Sequence, residues 1–350
     1  MIHPFALADI LLVYRLQNDG VPLAIEHILS HPRPPLWLAL TAPWPWAGRG
    51  VASYVLKERS QGRQMKGFVQ LLKRAARPEA DLLHIAPAHA VAPDGDPISD
   101  AIWRRLLLHC CAEAARHGLQ RVFASVPDGG PEMACLRDAG FSLYARETIY
   151  RLSEVPQAAP VPPGFRRQFP RDSWALQRLY ARSTPCLVQQ AEGAMTGEAG
   201  SPPLSWWEPD RWQGTVWAPA GEVRGAVRVH VGRAGHWLRV WGANALTARE
   251  TRALVEQGLQ LLATLPPRHR PGNLPVYATV RDYEIGLSAA LTGFGFAPYT
   301  DRARFVRHTV ATRRVPARSA LPAIEVRQEV PVRSQAQGPM RSAQEAKSRG

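Results

Sequence analysis

The sequence predicts a mixed α/β protein made of two copies of one unit in tandem, followed by a tail with no core. Three observations carry this. The stretch ACLRDAGFSLY at 134–144 returns about 155 residues later as AALTGFGFAPY at 289–299. A run rich in proline and glycine, SEVPQAAPVPPG at 153–164, separates two segments of similar size. Around each copy, apolar residues alternate as in a strand, recur at helical spacing, then alternate again. At 350 residues, 45% of them hydrophobic, the chain can fill two cores. The expected division is an N-terminal unit over 1–152, a linker over 153–164, a C-terminal unit over 165–310 and a disordered basic tail over 311–350. Each unit is expected to hold a central mixed sheet flanked by helices.

The elements follow in order. DLLHIAP from Asp81 reads as a strand, and AIWRRLLLHCCAEAARHG as a long helix closed by Gly118. RVFASVP from Arg121 is a second strand, PEMACLRDAG a short helix, and FSLYARETIYRL a closing strand. The second half gives HWLRVWG from His236, then a helix opened by Thr247 as N-cap, then LPVYATVRD, a helix within EIGLSAALTGFG, and FAPYTDRARFVRHTV. Val122, Ala124, Val126 and Asp128 match Val276, Ala278, Val280 and Asp282. Leu136, Gly140, Phe141 and Tyr144 match Leu291, Gly295, Phe296 and Tyr299, and Tyr150 falls where Phe305 falls. Upstream, GFVQL from Gly67 corresponds to GAVRV from Gly225. The glycine before each phenylalanine stands where a helix must stop and reverse, a left-handed position that glycine takes without strain.

Charge and cysteines narrow the function classes. The net charge is +14, and residues 311–350 carry eight Lys/Arg against three Glu with no aromatic residue, a composition that cannot bury a core. The other arginines, such as Arg166, Arg167, Arg171 and Arg178, read as a solvated surface, and no nucleic-acid recognition motif accompanies the charge. Association with nucleic acid through the tail is the weakest of three functional expectations. Cys110, Cys111, Cys135 and Cys186 lack disulfide-like spacing, which suits a reduced, cytoplasmic setting. The N-terminus has no signal-peptide cleavage pattern, and no apolar run approaches a membrane span. His109, Cys110 and Cys111 point in different directions on a helix, so no metal site is expected.

The order strand, long helix, strand, short helix, Gly-Phe, strand resembles the close of a GNAT (N-acetyltransferase) domain, twice over. The resemblance is best over 81–152 and 236–310 and weak upstream. It implies that acetyl-coenzyme A binds in a wedge between two parallel strands that part. The pyrophosphate would rest on first-turn amides of the long helix, where the dipole is positive and donors lack partners. Two departures stand out. Neither half carries the family's loop of a basic or Gln residue with spaced glycines. The first-half loop, HAVAPDGDPISD, instead holds Asp94, Asp96 and Asp100. The positions of the family's general-acid tyrosine are Leu136 and Leu291.

The second half is therefore the expected cofactor site, with Trp241, Gly242, Asn244, Ala245 and Arg249 as binding residues and Arg252 close by. Tyr283 is the candidate general acid at the strand-to-helix junction, and Asp282 beside it is either a base or an N-cap. Glu192 is either a general base or a plain surface carboxylate. His84 is either a buried core histidine or part of an acetyl site, Cys186 has no adjacent base, and Trp206 and Trp207 either shape an acceptor pocket or fill a core. The leading expectation is an acetyl-coenzyme A-dependent N-acyltransferase acting on a small-molecule or protein amine, without metal. The alternative is a non-catalytic tandem scaffold or small-molecule-binding module.

Overall fold

The computed structural model describes residues 1–42, 44–46, 50–60, 63–74, 77–88, 97–155, 163–193, 212–264 and 274–309. Most of the proline-rich linker, the acidic loop with Asp94 and Asp96, Trp206, Trp207 and the basic tail lie outside them.

In the first half, β1 (Ile2–Pro4), a 3-10 turn (Leu7–Asp9) and α1 (Ile10–Leu16) lead through β2 (Val21–Pro22) to α2 (Ile25–Ser30) and α3 (Pro35–Thr41). Strands β3 (Val51–Ser60), β4 (Arg63–Lys73) and β5 (Glu79–Ala86) follow. Then come the long helix α4 (Pro97–Arg116), β6 (Arg121–Pro127), α5 (Glu132–Asp138) and β7 (Ser142–Leu152). The second half repeats the order with β8 (Phe165–Arg167), a 3-10 turn (Pro170–Asp172), α6 (Ser173–Ser183) and α7 (Cys186–Ala191). Its remaining elements are β9 (Trp212–Trp217), β10 (Gly225–His230), β11 (His236–Gly242), α8 (Ala248–Ala263), β12 (Val276–Arg281), α9 (Leu287–Thr292) and β13 (Ala297–His308).

The repeat reaches further upstream than the sequence resemblance did. In each half an aspartate three residues into a turn accepts a backbone N–H at 2.8 Å: Ala6 donates to Asp9 Oδ2, and Phe169 donates to Asp172 Oδ2. Both turns start the first helix of their half. The two Gly-Phe corners behave as glycine's missing Cβ predicts. Gly140 and Gly295 have φ of +79° and +86°, and Phe141 and Phe296 turn into the core. Thr247 caps α8 through a reciprocal box with Glu250. Asp282 is not an N-cap: α9 begins five residues later behind Gly286, whose φ is +81°.

All thirteen described strands join one sheet, in the order β1-β3-β4-β5-β6-β13-β7-β12-β11-β10-β9-β8, with β2 against β5. Its centre is an exchange. The last strand of the second half, β13, lies between β6 and β7 of the first half. The last strand of the first half, β7, lies between β13 and β12 of the second. The cores follow the exchange. Ala303 and Phe305 of β13 pack with Trp103, Leu136 and Phe141 of the first half. Leu152 of β7 packs with Leu254, Leu291 and Phe296 of the second. Each half is closed by its sibling's strand.

Two pairs in this sheet are parallel, β5 with β6 and β11 with β12, and both part early. Glu79–Asp81 pair with Arg121–Phe123, and His236–Leu238 with Val276–Ala278; beyond those three residues neither pair continues. Each half thus contains a wedge between diverging parallel strands, beside the N-terminus of its long helix.

Candidate functional site

The two wedges differ. In the second half the parting of β11 and β12 opens a cleft of about 430 Å³. One wall is the end of β11 (Val240, Trp241 and Gly242) with Asn244 and Leu246 beyond it; another is Thr251 and Leu254 of α8. Tyr283, Glu284 and Ile285, after β12, and the α6–α7 link at Thr184 and Pro185 complete it. The volume lies in the range of small-ligand sites, and the mix of apolar walls with a few polar groups is typical of them.

Of the residues expected to bind a cofactor, Trp241, Gly242 and Asn244 line this cleft. Asn244 Nδ2 donates to Arg182 O at 3.1 Å, tying the loop to α6. Ala245 faces a neighbouring groove bordered by Arg178, Arg182 and Arg224. Arg249 is exposed on α8 and lines neither space, and Arg252 stacks its guanidinium over Phe294 at 4.3 Å. At the α8 terminus, Thr247 Oγ1 accepts the Glu250 N–H, and Glu250 Oε2 accepts the Thr247 N–H at 2.7 Å. That leaves the amides of Ala248 and Arg249 as first-turn donors without intrahelical acceptors. It also places a carboxylate where an anion would approach.

Tyr283 lies on the cleft wall, and its hydroxyl accepts a hydrogen bond from Arg281 Nη1 at 2.7 Å. Burial pushes its pKa up and the Arg281 charge pulls it back, with a net rise. The phenol is therefore protonated at neutral pH and holds a proton to give.

Glu192 is neither on the surface nor on the cleft wall. It is buried on the opposite side of Arg281: Arg281 Nη2 donates to Oε1 at 2.5 Å, and Tyr180 OH donates to Oε2 at 2.6 Å. Burial works to raise its pKa, and the Arg281 charge with the two hydrogen bonds outweighs this, so the carboxyl sits below its ordinary value. Beside it, Arg239 reaches across the parted strands, donating from Nη1 to Thr279 O at 2.8 Å and gripping Glu284 at 2.5 and 3.0 Å. The Arg281 N–H also donates to Glu284 Oε2 at 2.8 Å.

These arginines belong to a row that the sequence reading assigned to solvent. Arg74, Arg121, Arg228, Arg239, Arg281, Arg302 and Arg304 are all buried. Arg304 binds Glu26 and donates to Glu147 Oε1 at 2.9 Å; Glu147 Oε2 stands 4.0 Å from Arg281 Nε. A chain of charge thus runs from α2 of the first half to Tyr283 of the second. The four arginines named as surface residues, Arg166, Arg167, Arg171 and Arg178, do reach solvent. The signal for the buried ones was their alternation with apolar or small residues, as in RVHV at 228–231 and RARF at 302–305.

In the first half, residues 21–24 run between the parted strands. Val21 and Pro22 pair with Ile85 and His84 of β5, Leu23 N–H donates to Leu83 O at 2.9 Å, and Ser125 N–H of β6 donates to Leu23 O at 2.8 Å. A space of about 20 Å³ remains beside Leu23. His84 stacks on Phe68 with ring centroids 5.4 Å apart, and burial lowers its pKa to about 4. Cys186 is exposed on α7, touched by Gln190 Nε2 at 3.5 Å. Asp282 is exposed at the end of β12, its N–H donating to Arg146 O at 3.1 Å.

Strand order, the two early-parting parallel pairs, the long helix beside each and the Gly-Phe corners together define a tandem of two GNAT-like units. The chain is similar in fold to a tandem GNAT protein from the clavulanic acid biosynthesis pathway. That likeness has 17% identity and a TM-score of 0.46, covering 89% of this chain and 99% of that one. It is also similar to a GCN5-related N-acetyltransferase from Sphaerobacter thermophilus, at 14% identity and a TM-score of 0.49, covering 89% and 96%. No known family profile matches the chain, and none of the curated proteins does. The strand order, rather than these distant likenesses, carries the fold.

Among the described residues no helix is long and apolar enough to cross a membrane.

Proposed function

We propose that the protein is an acetyl-coenzyme A-dependent N-acyltransferase whose second half holds the cofactor. The observation that carries this is the cleft between the parted β11 and β12, with Tyr283 on its wall and its phenol bonded to Arg281. The cofactor would supply an acyl group activated as a thioester. Trp241, Gly242 and Asn244 would line its path, and the Ala248 and Arg249 amides would face its phosphates. An acceptor amine would attack the carbonyl carbon, the C–S bond would break, Tyr283 would give its proton to the departing sulfur, and the proton the nitrogen sheds as the amide forms would return through water to the Tyr283 oxygen. Arg281, already bonded to that oxygen, stabilises the phenolate left behind. Glu192 and Tyr180 hold Arg281 in place, so Glu192 acts through the arginine rather than on the amine. The acceptor is a small-molecule or protein amine.

Among the described residues, no cleft carboxylate is free to take the amine's proton. Among the described residues lining the cleft, the one carboxylate is Glu284, and Arg239 holds both its oxygens. On this reading the amine arrives neutral or first loses its ammonium proton to water. Calorimetric titration with acetyl-coenzyme A tests the reading: binding below roughly millimolar Kd is expected, and its absence would remove it. The second reading, a non-catalytic binding module, is favoured by the Glu250 carboxylate at the α8 terminus and by the lack of a free carboxylate among the described cleft residues. It takes precedence if coenzyme A binds but no amine in a broad panel is acylated.

A further inference from the structure

We propose that the first half's wedge carries a permanent internal ligand, residues 21–24 of its own chain, and is thereby closed to coenzyme A. The inference rests in part on the proposed function, which gives wedges of this kind their occupant. Strands that part expose unpaired N–H and C=O groups on their facing edges, and burying these unpaired is costly. In the second half Arg239 and the open cleft meet the need. In the first half the chain itself does, because Leu23 bonds to β5 on one side and to β6 on the other. A third strand therefore stands where an extended ligand would lie.

The segment is fastened from several directions. Ala88 N–H donates to Asp19 O at 2.7 Å below it, and Arg302 Nη2 donates to Pro22 O at 3.3 Å and to Ser125 O. Above it, Glu26 pairs with Arg304. Both arginines sit on β13, so the second half holds the insert in the first. Gly20 passes so close to the His84 ring that a Cβ there would come within 2.0 Å of it.

The cause of the asymmetry is the length of one link. In the first half α1 ends at Leu16 and α2 begins at Ile25, so residues 17–24 are free to dip into the wedge and return. In the second half α6 ends at Ser183 and α7 begins at Cys186. Thr184 and Pro185 alone span that gap; they reach the rim of the cleft and no further. A long link seals one wedge, and a short link leaves its sibling open.

The test is amide exchange on the whole protein, with and without coenzyme A, together with ligand counting by native mass spectrometry. The Leu23 and Ser125 amides are expected to exchange within about tenfold of Phe68 and Val69 in β4, with or without ligand. Exchange as fast as a surface loop at those two amides would overturn the proposal, whatever coenzyme A does. One coenzyme A per chain, protecting 239–247 and 281–287 but leaving 82–86 unchanged, supports it. Two per chain, or new protection at 82–86 and 121–127, overturns it. If no coenzyme A binds, the functional reading fails while slow exchange at Leu23 and Ser125 still upholds the sealed wedge.

Discussion

Truncating Phe305 to alanine should loosen the half of the protein to which it does not belong in sequence. The ring is fully buried, yet its neighbours are Leu136, Phe141 and Trp103 of the first half. Removing it forfeits the transfer energy of a buried aromatic ring and leaves a cavity, about 3–5 kcal/mol together. At roughly 2 °C per kcal/mol for a large cooperative unit, Tm should fall by about 6–10 °C. The assay that matters is where protection is lost. Hydrogen exchange read by mass spectrometry should speed up in α4, α5 and β6, with α8 and α9 changed least. Leu152→Ala is the mirror experiment: it removes a first-half side chain from the second core, should cost about 2–5 kcal/mol, and should loosen α8 and α9 first. If Phe305→Ala opened α8 and α9 and left α4 and α5 protected, the exchange of closing strands would be wrong.

Other expectations follow from the site. Tyr283→Phe should lower kcat by about 10²-fold or more if the phenol is the general acid, with the Kd for acetyl-coenzyme A nearly unchanged; an unaltered kcat removes the role. Because the described residues of the cleft offer no free carboxylate, kcat/KM should climb with pH as the acceptor amine loses its proton, which a pH series with two amines of different pKa would reveal. Glu192→Gln should cost about 3 kcal/mol at pH 7, since it leaves the buried Arg281 with only Glu147, 4.0 Å away and shared with Arg304, as its anion, as measured by urea unfolding. The Glu192 pKa is depressed in the fold, so its contribution is present above the ordinary carboxylate range and lost as pH falls through the folded value. The difference between wild type and variant should therefore shrink in acid. Residues 1–152 expressed alone should lack a protected β6–β7 region and regain it when 153–350 is supplied on a second chain.

Much of the fold was legible because it is local. Gly140-Phe141 and Gly295-Phe296 announce a stop and a reversal, Thr247 announces a helix start, and alternation marks the strands that flank them. The repetition of that grammar gave the two copies. What local pattern could not reveal was which strand pairs with which. FSLYARETIYRL and FAPYTDRARFVRHTV read as closing strands of their own halves, and only tertiary packing assigns each to its sibling. The insert at Val21-Pro22 was hidden for a related reason: two residues flanked by Gly20 and Leu23 carry no periodic signal. Trp241, Gly242 and Tyr283 could be placed beside the cleft from sequence because they stand at the ends of strands the pattern located. Arg239, Glu284 and the Arg281–Glu192 pair were missed because composition counts charge without saying whether it faces water. Glu192 shows the consequence, since the arginine that holds it, Arg281, lies 89 residues further along the chain.

The exchanged strands also set a timetable for the emerging polypeptide. When Leu152 leaves the ribosome, every element of the first half exists except the one that fills the slot between Arg121–Pro127 and Ser142–Leu152. That element, Ala297–His308, appears about 150 residues later, a delay of roughly 8–30 s at ordinary rates of synthesis. During this interval two strand edges and the patch awaiting Phe305 face solvent or a chaperone. Translation speed through the second half is thus part of how the first half becomes a finished structure.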